Sequence, residues 1–207
     1  TYQIRKKKRG TVGNGDCVRA VNGVTMDIRS GEILAVVGES GCGKTTLGKA
    51  ILNIIPSSGG AIRYHGRDLS GISKGELQKL RQKMQLIFQD PYESLNPRQS
   101  VYQTLKEPLD IHRGDMTPQE KEAKIYQYLE AVGLHPAETV AQKYPHQLSG
   151  GQRQRLSIAA TMILEPDFVA FFLTSATIAS TSTYCSSLYL SDSPAALCAI
   201  SSMRATR

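Results

Sequence analysis

Three glycines, a lysine and two hydroxyls fall within Gly38-Glu39-Ser40-Gly41-Cys42-Gly43-Lys44-Thr45. This order is that of a phosphate-binding loop, G-x-x-x-x-G-K-[ST]. Glycine reaches backbone conformations closed to other residues, so the chain can curl and aim several N–H groups at one anion. A helix beginning at the end of the loop adds the positive end of its dipole. Lys44 is placed to reach β- and γ-phosphates, and the Thr45 hydroxyl to ligate Mg²⁺ bridging them. The surroundings agree. Ile33 to Val37 is an apolar run of strand length, which predicts a strand buried on both faces of a parallel sheet. Leu47, Ala50, Ile51 and Ile54 then recur at helical spacing, with a stop expected at Pro56 and the glycines after it. A chance glycine-rich turn is the bland alternative, and the complete set of positions outweighs it. Cys42 reads most simply as a small filler. The loop alone specifies a nucleoside triphosphate and nothing finer.

A second constellation is Leu148-Ser149-Gly150-Gly151-Gln152, followed by Arg153-Gln154-Arg155-Leu156. It is again anion chemistry at a helix start: the Ser149 hydroxyl and the Gly151 N–H can meet an oxyanion at the positive end of a helix. Leu156, Ala159, Ala160 and Ile163 give that helix an apolar face. A third is Phe88-Gln89-Asp90-Pro91-Tyr92, directly after the apolar run Gln85 to Phe88. A glutamine at a strand end usually signifies nothing; between the other two motifs, Gln89 becomes a candidate.

Together these strings resemble the ATP-binding subunits of ABC transporters, whose signature the Ser149 segment matches. The longer runs FQDPYESLNPR (88–98) and YPHQLSGGQRQR (144–155) resemble the oligopeptide and dipeptide importers, a group that also includes nickel importers. The resemblance runs from Tyr2 to about Asp167. It implies an α/β fold: a P-loop NTPase core with an antiparallel β subdomain and an inserted helical subdomain, about 92–148. It implies that Gly38, Ser40, Gly41, Cys42, Gly43, Lys44, Thr45 and Thr46 hold ATP, and that Gln89 touches Mg²⁺ or the attacking water and senses the membrane subunit. Ser149, Gly150, Gly151 and Gln152 would contact the γ-phosphate held by a second ATPase subunit, identical or different. Tyr2 matches, more weakly, an aromatic that stacks on adenine; a plain surface tyrosine is an equal reading. Integral membrane permease subunits would hold the protein at the cytoplasmic face of the plasma membrane.

The resemblance breaks after Asp167. The family requires an apolar strand ending in Asp-Glu, the Asp holding Mg²⁺ through water and the Glu polarising the attacking water. Here the segment reads Phe168-Val169-Ala170-Phe171-Phe172-Leu173-Thr174-Ser175-Ala176. Aligned on Thr174-Ser175-Ala176, Phe171 and Phe172 occupy the Asp and Glu places. A D-loop Asp falls near Ile178, and the family's switch histidine has no counterpart. From Phe168 to Arg207 there is no Gly, Lys, Glu, Gln, Asn or His. These observations divide the chain into a nucleotide-binding domain, 1–167, and an atypical tail, 168–207. A frameshifted or decayed origin for the tail is the favoured explanation; a degenerate subunit that binds ATP and hydrolyses it poorly is the other. In either case the chain is expected to lack the usual last strands and helices, and its first residue, Thr1, predicts a natural start further upstream. Phe168 to Leu173 still suits a buried strand, expected beside Ile33 to Val37.

The rest of the sequence sets limits. It has 207 residues, 40% hydrophobic and 21% charged, enough for one medium domain with its own core. No apolar run reaches transmembrane length, and no apolar stretch follows the basic Arg5-Lys6-Lys7-Lys8-Arg9 as a secretory signal would need. That run reads as a solvated loop. The four cysteines fit no zinc or redox spacing. The net charge of +7 keeps a soluble ABC protein acting on nucleic acid as an alternative, but no nucleic-acid motif accompanies it; a non-catalytic nucleotide-binding partner subunit is another. Among the remaining elements, Asn22-Gly23 predicts a hairpin between Val18–Val21 and Val24–Ile28. Ala61 to Tyr64 reads as a short strand, Ser73 to Met84 as a helix, and Thr117-Pro118-Gln119-Glu120 as a capped helix start leading to Ile125, Leu129, Val132 and a stop at Gly133.

Overall fold

In the computed structural model, the described residues are 2–3, 17–39, 41–87, 94–174 and 196–202. The element order is β1 (Tyr2–Gln3), β2 (Cys17–Val18), β3 (Ile33–Gly38), α1 (Lys44–Ile51), β4 (Arg63–Tyr64), β5 (Arg67–Asp68), α2 (Lys74–Lys83), β6 (Met84–Ile87), α3 (Val101–His112), α4 (Pro118–Ala131), α5 (Ala137–Ala141), a 3₁₀ turn (Pro145–Gln147), α6 (Gly150–Met162), β7 (Phe168–Thr174) and β8 (Ala196–Ser202).

The centre is a parallel four-stranded sheet in the order β3-β8-β7-β6. Two layers cover it. Ile51 and Leu52, at the end of α1, lie with Phe168 and Ala170 of β7 on one face. Ile158 and Met162 of α6 lie against Ile87, Val169 and Phe171 on the other. The alternation of 168 and 170 against 169 and 171 is the period-2 geometry of a strand buried on both sides. Helices α3 to α5 stand on the far side of α6 and share a second core with it, built from Leu105, Leu109, Ile125, Leu129, Leu156 and Ile163 among others.

Local sequence explains most of the helices. Ser73, Ser100, Thr117 and Ser149 each cap a helix with both bonds of a capping box. At α4 the Glu120 N–H donates to the Thr117 hydroxyl at 3.3 Å, and the Thr117 N–H to the Glu120 carboxylate at 2.7 Å. Gly133, at φ +71°, stops the chain after α4 as expected. Arg155 donates to the Gly133 and Val132 carbonyls at 2.7 and 3.4 Å, satisfying the exposed end of that helix.

Several expectations need correcting. The Asn22-Gly23 hairpin does not form: residues 19–32 contain no strand, and Cys17–Val18 pairs antiparallel with Tyr2–Gln3 instead. The short strand expected at Ala61 to Tyr64 is a true hairpin, Arg63–Tyr64 against Arg67–Asp68, because His65 and Gly66 both take positive φ (48° and 77°). Helix α1 stops at Ile51, well before Pro56. Asn53 adopts the left-handed conformation (φ 51°) and donates its side-chain amide to the Leu69 carbonyl. This leaves Ile54 48% exposed. Finally, β7 is a strand but is not adjacent to β3; β8 lies between them. Nor is β3 buried on both faces: at the edge of the described sheet it alternates exposed and half-buried residues, with Ile33 67% and Val37 51% exposed.

The two-sided burial of α6 sets its sensitivity. Leu156→Ala, at a site with no exposure, should cost about 3 kcal/mol. Ile33→Ala at the open edge should change stability by less than about 0.5 kcal/mol. Urea denaturation followed by circular dichroism measures both.

Candidate nucleotide-binding site

All four strands of the sheet run the same way, so their carboxyl ends form one edge. Gly38 of β3 and Thr174 of β7 both lie in register with Ser202 of β8, and Ile87 of β6 pairs with Phe171. Ligands of open parallel sheets bind outside this edge. The loop 38–44 leaves β3 there, and the chain from β6 toward Gln89 leaves there as well.

The loop is shaped by its glycines for different reasons. Gly41 and Gly43 have φ of 86° and 97°, where a side chain is strained. A Cβ on Gly41 would meet nothing within 4 Å, whereas one on Gly43 would lie 2.0 Å from the Ala20 carbonyl oxygen. Gly43 therefore also allows close backbone contact with the segment beneath. At Gly38 a Cβ would approach Cys42 Sγ at 2.9 Å, so the loop is closed across its own neck. Gly43 caps α1 in the left-handed conformation, with no side-chain hydrogen bond to the helix N-terminus. The first N–H groups of α1 thus face outward. Lys44 folds back over the loop, its ammonium donating to the Gly38 carbonyl at 2.8 Å and the Glu39 carbonyl at 2.5 Å, with Cys42 Sγ at 3.3 Å. An ammonium with three donors held at this point can turn them to phosphate oxygens. Thr45 is exposed on the first turn of α1 and Thr46 half-buried beside it. The loop therefore fits a polyphosphate. Among the described residues no group of three or more His, Cys, Asp or Glu side chains is arranged to hold a metal; the exposed Thr45 hydroxyl is a chemically suitable oxygen ligand for a phosphate-bound Mg²⁺.

Ser149, Gly150, Gly151 and Gln152 form the start of α6, on a separate element from the phosphate loop. The Ser149 hydroxyl accepts from the Gln152 N–H at 3.2 Å, and the Ser149 N–H donates to the Gln152 side chain at 2.9 Å. A hydroxyl that accepts here still has a hydrogen to donate. Arg153 reaches back to the Leu148 and Pro145 carbonyls at 2.8 and 3.2 Å. It thereby holds the turn that presents Ser149. Sequence reading took Arg153 and Arg155 as part of a motif and missed that both are clamps; the oriented carbonyls they grip come from distant or turn residues. Ala20, the floor under Gly43, was missed too, since nothing in its type signals the contact.

Gln89 and Ser40 lie outside the described residues. Tyr2 is placed in β1 opposite Val18. Phe171 is 1% exposed, in the apolar cluster with Ile87, Ile158, Met162 and Val169. Among the described residues a cleft of about 580 Å³ is lined by Gln85 of β6, Ser94, Asn96, Glu107 of α3 and Thr161 of α6.

Residues 21–171 match the family model described as ABC transporter. The chain belongs to the ABC transporter family. It is 45% identical over 157 residues to the "Putative oligopeptide transport ATP-binding protein YkfD" of Bacillus subtilis (strain 168), covering 76% of this chain and 47% of that protein. It is also 45% identical over 149 residues to the "Di/tripeptide transport ATP-binding protein DppF" of Pseudomonas aeruginosa (strain UCBPP-PA14), covering 72% of this chain and 45% of that one. The chain thus spans about half the length of the curated relatives it matches. Among solved structures it resembles the dimeric post-hydrolysis state of the ATP-binding cassette MJ0796 bound to ADP and Pi. The TM-score is 0.74 at 26% identity, over 89% of this chain and 80% of that one. The fold is that of ABC ATPase cassettes. The family match ends at Phe171, within the strand where the carboxylates were expected and phenylalanines stand.

The glycines give a graded prediction. Gly43→Ala should abolish binding of a fluorescent ATP analogue, because its methyl group cannot coexist with the Ala20 carbonyl. Gly41→Ala, strained by about 1–2 kcal/mol, should weaken binding about tenfold. Equal affinities for the two variants would contradict this geometry.

Proposed function

We propose that this chain is the ATP-binding subunit of an ABC importer of oligopeptides or dipeptides, and that as written it binds Mg–ATP without turning it over unaided. The observation that carries the reading is the phosphate loop: two left-handed glycines, an uncapped α1 start and Lys44 drawn over the loop by the Gly38 and Glu39 carbonyls. The peptide assignment rests on the printed names of YkfD and DppF and on the strings shared with importers of that kind. In this reading the residues Gly38 to Thr46 hold the nucleotide, Thr45 and Gln89 meet the metal, and Tyr2 covers the adenine. Mg²⁺, when bound with the nucleotide, neutralises phosphate charge.

Ser149 to Gln152 then face the nucleotide of a second ATPase subunit. An interface there suits the glycines at 150 and 151, where a Cβ would meet nothing within 4 Å. No packing among the described residues demands them. The cleft lined by Gln85, Asn96 and Glu107 is the proposed seat of a membrane permease subunit. No helix among the described residues is long and apolar enough to cross a membrane. In this reading integral permease subunits hold the chain at the cytoplasmic face. The domain reading, nucleotide binding in 1–167 and an atypical tail in 168–207, belongs to the same proposal.

The limit on turnover follows from Phe171 and Phe172. Neither side chain can accept a proton or bind a metal, and loss of a general base alone costs about 10²–10⁴ in rate. Burial of Phe171 in an apolar cluster favours the version in which this subunit pairs with a competent one. The test is equilibrium binding and steady-state phosphate release with Mg–ATP, alone and mixed with a catalytically intact ATPase subunit of the peptide-import type. Saturable binding lost in Lys44→Ala, with phosphate release no higher than in that variant, is the expected result. Steady hydrolysis by the chain alone overturns the catalytic part, and failure to bind ATP overturns the whole.

A further inference from the structure

Away from the nucleotide site, the outer side of the helices carries a second cleft of about 460 Å³, lined by Ser100, Tyr102 and Gln103 of the α3 start, Glu122 and Tyr126 of α4, and Gln142 and Tyr144 after α5. Three tyrosines converge there. Tyr102 and Tyr126 have ring centroids 6.5 Å apart at 50°, and both rest their inner edges on the buried helical core. Tyr144 is 40% exposed and stacks on His146. Glu122 is the only charged side chain in the lining. One of its carboxylate oxygens accepts from the Tyr126 hydroxyl at 3.0 Å, which fixes the carboxylate and leaves its second oxygen as an acceptor.

The chain as a whole carries +7, yet the one charged side chain in the cleft lining is the carboxylate of Glu122. The Tyr126 hydroxyl is pushed up by its hydrogen bond to Glu122, then by burial and by the charges of Glu122 and Glu138. Tyr102 is pushed up by burial and then by the charges of Glu122 and Asp110. Aromatic faces with a single fixed carboxylate and no basic partner in the lining attract a planar, weakly hydrated cation that can stack and donate at once. A guanidinium does both, whereas an ammonium only points a charge.

We propose that the cleft between Tyr102, Tyr126 and Tyr144 is a binding site for a guanidinium group, stacked on the tyrosines and hydrogen-bonded to Glu122. The site is independent of the nucleotide loop and of the transport reading. The test is titration of the full chain with ethylguanidinium chloride, read by NMR of tyrosine ring protons, against sodium chloride at equal ionic strength and against tetramethylammonium. Saturable shifts confined to cleft tyrosines are expected, with affinity at least about fivefold weaker in Glu122→Gln and in Tyr144→Ala. Both substitutions are at exposed positions, and an unchanged circular dichroism spectrum shows that they fold. Absence of saturation, undiminished binding in Glu122→Gln, or tetramethylammonium binding as tightly as ethylguanidinium overturns the proposal.

Discussion

The two-sided burial of α6 is the constraint on which the other parts depend. Beyond its first turn and a half, Leu156, Ser157, Ile158, Ala159, Thr161 and Met162 are all buried. No single surface can bury that much of a helix's circumference, so α6 has to lie between two cores. Leu156, Ala159 and Ile163 serve the helical side, and Ile158 and Met162 the sheet. Its first turn is glycine-rich and polar, and it projects beyond both cores. The anion-suited end of the helix is therefore held rigidly by the apolar remainder, with Arg153 fastening the preceding turn.

A second fastening lies at the opposite end of the sheet. The Asp167 N–H donates to the Lys83 carbonyl, and its carboxylate accepts from the Tyr64 hydroxyl at 2.7 Å and from Lys83 at 3.3 Å. One residue thus ties the entry of β7 to the end of α2 and to the β4–β5 hairpin. Being half-buried, the pair is worth less as charge than as position; it fixes where β7 begins, and so which residues of β7 reach the carboxyl edge.

What was legible in the sequence was whatever is decided within a few residues. The glycine-rich turn between β3 and α1, the Thr117 cap and the Gly133 stop depend on local backbone demands, and each stands where its residues put it. The Ser149 cap was not foreseen, because its hydroxyl was read only as an anion contact. Pairing between distant segments was not legible. Val18–Val21 and Val24–Ile28 flank a good turn dipeptide, but Cys17–Val18 finds Tyr2–Gln3 instead. β7 was expected against β3; nothing local announces that Ala196–Ser202 inserts between them. Composition made residues 168–207 look foreign to the rest, yet β7 and β8 form the two middle strands of the sheet. Phenylalanine and valine, as at Phe168, Val169 and Phe171 of β7, suit a buried strand whatever chemistry a position could carry.

That separation of packing from chemistry also distinguishes the two glycine-rich segments. Gly41 and Gly43 are required by this chain's own fold, one by its backbone angle and the other by angle and contact with Ala20. Gly150 and Gly151 have ordinary helical backbone and open space where a Cβ would go. Glycine costs up to about 1 kcal/mol relative to alanine in a helix interior, and no described residue packs where the missing side chains would stand. The first pair is thus set by contacts and backbone angles within the chain. The second pair makes physical sense only against a surface that approaches closer than a methyl group allows, which is the role the proposed second subunit would fill.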